Sequence, residues 1–182
     1  MKIGLTRIIL AHIATLKNVG SEKTSRSDIL VFFGIPILGA IASWHFCLYF
    51  TNEVYSASIS VFAIFSALLF SVQVAMYGVF RSDRKSTGDK VLDSDDEKFA
   101  ENARVLLREV NANISYLILI SCVSVTIFLV FVATPIPARI EAAGLVLLYS
   151  HFLLTVAMVL KRAHEIFDAE YAAPLRFKSR DQ

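Results

Sequence analysis

"HFLLTVAMVLKR", residues 151–162, is an apolar run that opens on an ionisable ring and stops at two cations. It closes a longer stretch: no Asp, Glu, Lys or Arg occurs in 142–160, nor in 29–52, 54–80 or 110–138, gaps of 19, 24, 27 and 29 residues. A helix needs about 20 apolar residues, at about 1.5 Å each, to cross a hydrocarbon layer about 30 Å thick. Each gap is long enough to cross once and too short to cross twice. Hydrocarbon offers the backbone no partner, so a spanning segment satisfies its amides within a helix or in a closed barrel, and these runs lack the alternation of barrel strands. The expectation is an all-α integral membrane protein with four transmembrane helices. Composition agrees, since 55% hydrophobic and 19% charged residues is too apolar for a soluble domain of this size.

The cations set the expected orientation. Lys2, Arg7, Lys17, Lys23 and Arg26 precede the first span, seven more lie in 81–109, and Lys161, Arg162, Arg176, Lys178 and Arg180 follow the fourth. Only Arg139 of the 18 falls on the other side, so the positive-inside rule puts both termini in the cytoplasm. The run at 151–162 thus ends where helix four leaves the membrane. The resulting division is 1–28, a cytoplasmic N-terminal segment; 29–80, helices one and two; 81–109, a cytoplasmic connector; 110–160, helices three and four; and 161–182, a cytoplasmic tail. "TNE" and "TPIPAR" are short outer turns, which predicts two antiparallel hairpins with little exposed outside.

No secretory leader is read in 1–17. Leu5, Ile8, Ile9, Ile13 and Leu16 instead fall on one helical face, opposite Lys2, Thr6, His12 and Lys17. This predicts an amphipathic helix that either lies on the inner membrane surface or packs on other cytoplasmic segments. Gly20 is expected to stop it and Ser27 or Asp28 to cap the first span. In "SDDEKFAENARVLLREVNANISY", Ser94 and Glu97 suit a capping box, and Phe99, Ala103, Leu106 and Val110 form an apolar stripe. One helix of roughly 40 residues, about 60 Å long, is expected from about 94 through the third span, projecting into the cytoplasm. That stripe is the candidate partner-binding surface. Helix four is expected to end near Pro174.

Within the spans, Ala63, Ala67, Ser71 and Ala75 recur every four residues and predict a helix-packing seam, within a protomer or between protomers, or a pore lining. Phe62, Phe65, Phe70 and Tyr77 are read as lipid-facing or core bulk. Pro36, with Gly34 and Gly39 near it, predicts a kink in helix one. The informative polar residues are His45, Gln73 and His151, because polar side chains at membrane depth turn toward protein or water. Gln73 and His151 are the candidate intramembrane polar site: a sensing group, or a neutral histidine bonded to a serine or carbonyl of a neighbouring helix. No nucleophile elbow, metal-ligand spacing, phosphate-binding loop or charged intramembrane dyad is present, so neither enzyme, cofactor nor metal is expected. Cys47 and Cys122 are read as packing residues, and the "NIS" triplet at 113–115 is discounted for glycosylation because it falls on the cytoplasmic side.

The blocks "SRSDILVFFGIPILGA", "SVFAIFSALLF", "REVNANISYLILIS" and "HFLLTVAMVLKR", in that order, resemble a family of small four-span bacterial proteins encoded beside anti-phage genes, the membrane subunits of the Kiwa defence system. The similarity covers most of 25–167 and carries no catalytic motif. It implies a bacterial inner-membrane oligomer, a tetramer, that senses phage-associated disturbance of the envelope and works with a cytoplasmic DNA-binding effector, without itself binding nucleic acid. It supplies no active-site residues. Three function classes follow: a non-enzymatic sensor and scaffold, an oligomeric ion channel or pore, and a transporter or membrane enzyme. The lack of intramembrane charge weighs against the third.

Overall fold

The computed structural model describes residues 4–15, 30–80 and 90–178, and the side chains of 4–15, 30–78 and 104–165. Every described element is helical. They are α1 (Leu5–Thr15), α2 (Ile35–His45) entered through a π turn at Leu30–Gly34, α3 (Asn52–Phe80), α4 (Lys90–Ala133) and α5 (Ala138–Lys178).

Three helices are long and apolar enough to cross a membrane, over Asn52–Gly78, Arg104–Ala133 and Ala138–Glu165. The apolar helix at Leu30–His45 is shorter, which corrects the expectation of a full helical span over 29–52. Its end is set by backbone geometry. Cys47 takes φ 52°, its N–H reaches the Trp44 carbonyl at 3.3 Å, and the Leu48 N–H reaches that of Ser43 at 3.1 Å. This is a left-handed helix cap of the kind glycine usually supplies, and it leaves 46–51 outside any helix. Cys47 is thus an exposed capping residue rather than a packed one, while Cys122, though exposed, meets Ser66 Oγ of α3 with its sulfur at 3.7 Å.

α4 is one helix of 44 residues, close to the expected length, but it starts at Lys90 rather than 94, so Ser94 lies inside it instead of capping it. α5 continues through Pro174 to Lys178. A proline deletes a single intrahelical bond, which neighbouring turns can absorb. The expected helix stop at Gly20 and the cap at Ser27 or Asp28 fall outside the described residues.

α4 and α5 pack antiparallel through a four-residue connection, from Gly144 on the Phe131 ring at one end to Glu109 with Arg162 at the other. α3 runs antiparallel to α4, with Tyr55 near Phe128 and Gln73 near Ser115. The first expected hairpin does not form as a packed pair, because α2 lies along α5 instead of α3. Gly39 permits this. A Cβ there would meet Val146 at 3.2 Å, so the glycine lets the two backbones close together rather than only bending α2. α1 rests on α4. The apolar core is an aromatic cluster of Tyr55 and Phe62 from α3, Phe128 from α4 and Phe152 from α5, with Leu117, Leu145 and Leu148 around it. The rings meet edge-on or tilted at 5.0–6.4 Å, the offset that their quadrupoles favour.

Candidate functional site

The described polar contacts between helices concentrate where α1, α2, α4 and α5 meet. The starting point is Pro36, which has no N–H to give to the carbonyl four residues back, that of Phe32. His151 Nδ1 lies 3.2 Å from that carbonyl oxygen. A carbonyl only accepts, so Nδ1 carries the ring proton and Nε2 is left as an acceptor. Tyr116 then donates its hydroxyl to Nε2, at 2.7 Å. His151 is thereby satisfied at both nitrogens as a neutral ring and turned into the bundle, and it supplies the bond that Pro36 withholds. Both residues are legible in the sequence, but the bond between them is not.

The Tyr116 ring continues the chain of contacts. His12 of α1 stacks flat on it, centroids 3.9 Å apart and planes within 1°. His12 Nδ1 lies 2.8 Å from Asn113 Oδ1, so Nδ1 is the donor. Thr15 Oγ1 sits 2.6 Å from the His12 carbonyl and 2.9 Å from the same Asn113 oxygen, and its one hydrogen serves either acceptor. His12 and Asn113 are wholly buried, and His12 Nε2 and Asn113 Nδ2 have no partner among the described residues. At the rim, Arg162 of α5 donates to Glu109 of α4 at 2.6 Å and to the backbone carbonyl of Thr15. One guanidinium thus ties three helices.

Burial pushes His12 down to about 4, from 6.5, against the raising effect of its Asn113 bond, and the nearby His151 and Arg162 lower it further. It is therefore neutral near pH 7. Protonation would add a hydrogen at Nε2 with no acceptor among the described residues to meet it. It would also place a cation beside Arg162, whose carboxylate Glu109 is already engaged.

Of the sequence-predicted residues, His151 belongs to this junction and Gln73 does not. Gln73 donates to Ser115 Oγ at 2.8 Å, tying α3 to α4 separately. Ala63, Ala67, Ser71 and Ala75 are all exposed, and Ser71 bonds only its own helix, at the Ala67 carbonyl. The small-residue strip is therefore left uncovered by the described residues. Phe62 is core, while Phe70 and Tyr77 are exposed. His45 closes α2 and is exposed. On the expected partner stripe, Val110 is buried and Leu106 half-buried; the side chains of Phe99 and Ala103 lie outside the described ones.

Sequence reading missed Asn113, Tyr116, Thr15 and the Glu109–Arg162 pair. Asn113 was visible only through the glycosylation triplet, and its complete burial leaves a glycan no room. No group of three or more His, Cys, Asp or Glu suited to a metal occurs among the described residues. The junction holds donors, acceptors and one ion pair, and these bonds fix the positions of four helices. No protein-family model, curated protein or solved structure matches the chain.

Proposed function

We propose that the chain is a non-enzymatic sensor and scaffold of the bacterial inner membrane, with both termini cytoplasmic and four crossings, acting in anti-phage defence as its resemblance to the Kiwa membrane subunits implies. The supporting observation is α4, an unbroken 44-residue helix. Its apolar part, Arg104–Ala133, carries the contacts to α1, α3 and α5, and its first turns run beyond the charged pair Glu109–Arg162. At about 1.5 Å per residue, the part before Glu109 extends nearly 30 Å, so a displacement among the membrane helices is carried along one rigid element to the cytoplasmic side. The fourth crossing is the one read for 29–52, of which α2 makes the part nearer the α4–α5 loop. α2 runs antiparallel to α5, with Phe32 level with His151 and Gly39 level with Val146, and the chain then enters α3 at the loop end.

In this reading the stimulus is envelope disturbance, felt by the helices and their lipids, and the output is recruitment of a cytoplasmic DNA-binding effector along Phe99, Ala103 and Leu106, Val110 being taken up inside the protomer. The protein assembles as a homo-oligomer, a tetramer by the resemblance. A second reading, an oligomeric ion channel or pore, is favoured by the exposed strip Ala63, Ala67, Ser71 and Ala75 on α3, where neighbouring backbones can approach closely. One double variant separates the two. Phe99→Asp with Leu106→Asp abolishes effector co-purification and phage protection if the protein is a scaffold, with insertion unchanged. If it is a pore, single-channel conductance in planar bilayers survives the change. A variant that inserts, recruits and protects like the parent removes the scaffold reading's main support.

A further inference from the structure

α1 is amphipathic the wrong way round for a helix that packs on a protein in water. The side turned to α4 buries the polar His12 and Thr15, with Ile8 and Ala11 half-buried beside them. The side turned away carries Leu5, Ile9, Leu10 and Ile13, all exposed, Leu10 by 64%, together with exposed Thr6 and Arg7. A helix in water buries its apolar stripe, so this inversion marks an apolar solvent on the outer side. Depth gives an independent argument. The groups that hold α1, Asn113 and Tyr116, lie four and seven residues along α4 on the span side of Glu109. At 1.5 Å per residue that is about 6 and 10 Å, the depth at which interfacial helices sit in a leaflet. The place also lies below the described start of α2. α2 and its π turn begin at Leu30, with Phe32 level with His151, and His151 lies about 20 Å along α5 from Ala138. Among the described residues, α1 is the helix that lies on the lower part of that side of α4 and α5.

We propose that α1 lies within the bilayer, in the leaflet at the Glu109–Arg162 end, with Leu5, Ile9, Leu10 and Ile13 against lipid acyl chains and His12 and Thr15 latched to the bundle. The proposal rests on α3, α4 and α5 lying in a bilayer, not on the defence reading.

Tryptophan quenching in vesicles tests it. The single native tryptophan, Trp44, is replaced by phenylalanine, and a reporter is placed by Leu10→Trp, by Leu5→Trp or by Leu153→Trp. The last is a reference on α5 that is 58% exposed. All three sites are exposed, so no packed contact is lost. Phosphatidylcholine brominated on its acyl chains is expected to quench Leu10→Trp and Leu5→Trp as strongly as Leu153→Trp, and aqueous acrylamide to quench none of them. Acrylamide quenching of α1 without bromine quenching would place that face in water. Protection of α1 from both would place protein on it, such as a second copy. Either result overturns the proposal while leaving the Leu153→Trp reference intact, whereas an unquenched reference would show that the spans themselves are not in lipid.

Discussion

Two clusters hold this bundle together, and they do so by different physics. Toward the loop end, Tyr55, Phe62, Phe128 and Phe152 interleave as rings. Toward the other end, Phe32, His151, Tyr116, His12, Asn113, Thr15, Arg162 and Glu109 form a run of directed bonds and one stack. Between helices already in lipid, burying apolar surface yields little, because the chains outside are as apolar as the chains inside. The aromatic cluster therefore works by shape, and many arrangements of similar volume would serve. The junction works by pairing, and a shift of α1, α2 or α5 unmakes several bonds together. Ring packing thus gives the bundle cohesion, while the polar junction specifies where the short helices sit.

The largest expected effect comes from breaking the first cluster. Phe62 is fully buried among Tyr149, Phe128 and Phe152, so Phe62→Ala should cost about 3–5 kcal/mol through the cavity it leaves. Unfolding in bicelles by steric trapping measures it. Hydrogen exchange of the α1 amides should stay unchanged, and a loss of α1 protection in this variant would mean that the two clusters are one cooperative unit.

Acid is the corresponding way to break the junction. His12 titrates at about 4 in place and at its ordinary 6.5 once α1 is detached. The detached state binds the extra proton first, so docking is at full strength above pH 6.5 and weakens as pH falls toward 4, by at most about 3 kcal/mol. Amide exchange of α1 followed from pH 7 to pH 4 should accelerate across that window, and His12→Gln, which bonds without titrating, should flatten the response.

A smaller effect sharpens the pairing claim. His151→Leu leaves the Phe32 carbonyl and the Tyr116 hydroxyl unpaired and should cost about 1–2 kcal/mol. Adding Pro36→Ala restores an N–H for the Phe32 carbonyl, so the double variant should recover part of that loss. Additive losses in the double-mutant cycle would show that His151 does not stand in for the missing amide. His151→Gln should retain assembly and activity.

The smallest expected effect lies outside both clusters. Cys47→Gly removes the Cβ from a left-handed cap and should stabilise the protein by about 0.5–1 kcal/mol. The pH response of α1 should not move.

By itself the sequence determined the helical class, three of the four spans read from it, the long α4, a short α4–α5 turn and the inward-facing His151. All of these follow from unbroken apolar runs and their charged ends, because hydrocarbon forces a backbone to bond within its own segment and each run then reports its own structure. Only the tertiary structure decided that α2 is short and lies on α5, that the alanine strip of α3 faces outward, and that α1 turns its polar side inward. The cap at Cys47 is a backbone angle with no sequence signal in a cysteine. The contacts of Gly39 with Val146, His12 with Asn113 and Phe32 with His151 join positions up to 119 residues apart. Local periodicity shows that a polar face exists and is silent on what meets it, since in a membrane both lipid and protein are apolar and only a specific partner distinguishes one helix face from another.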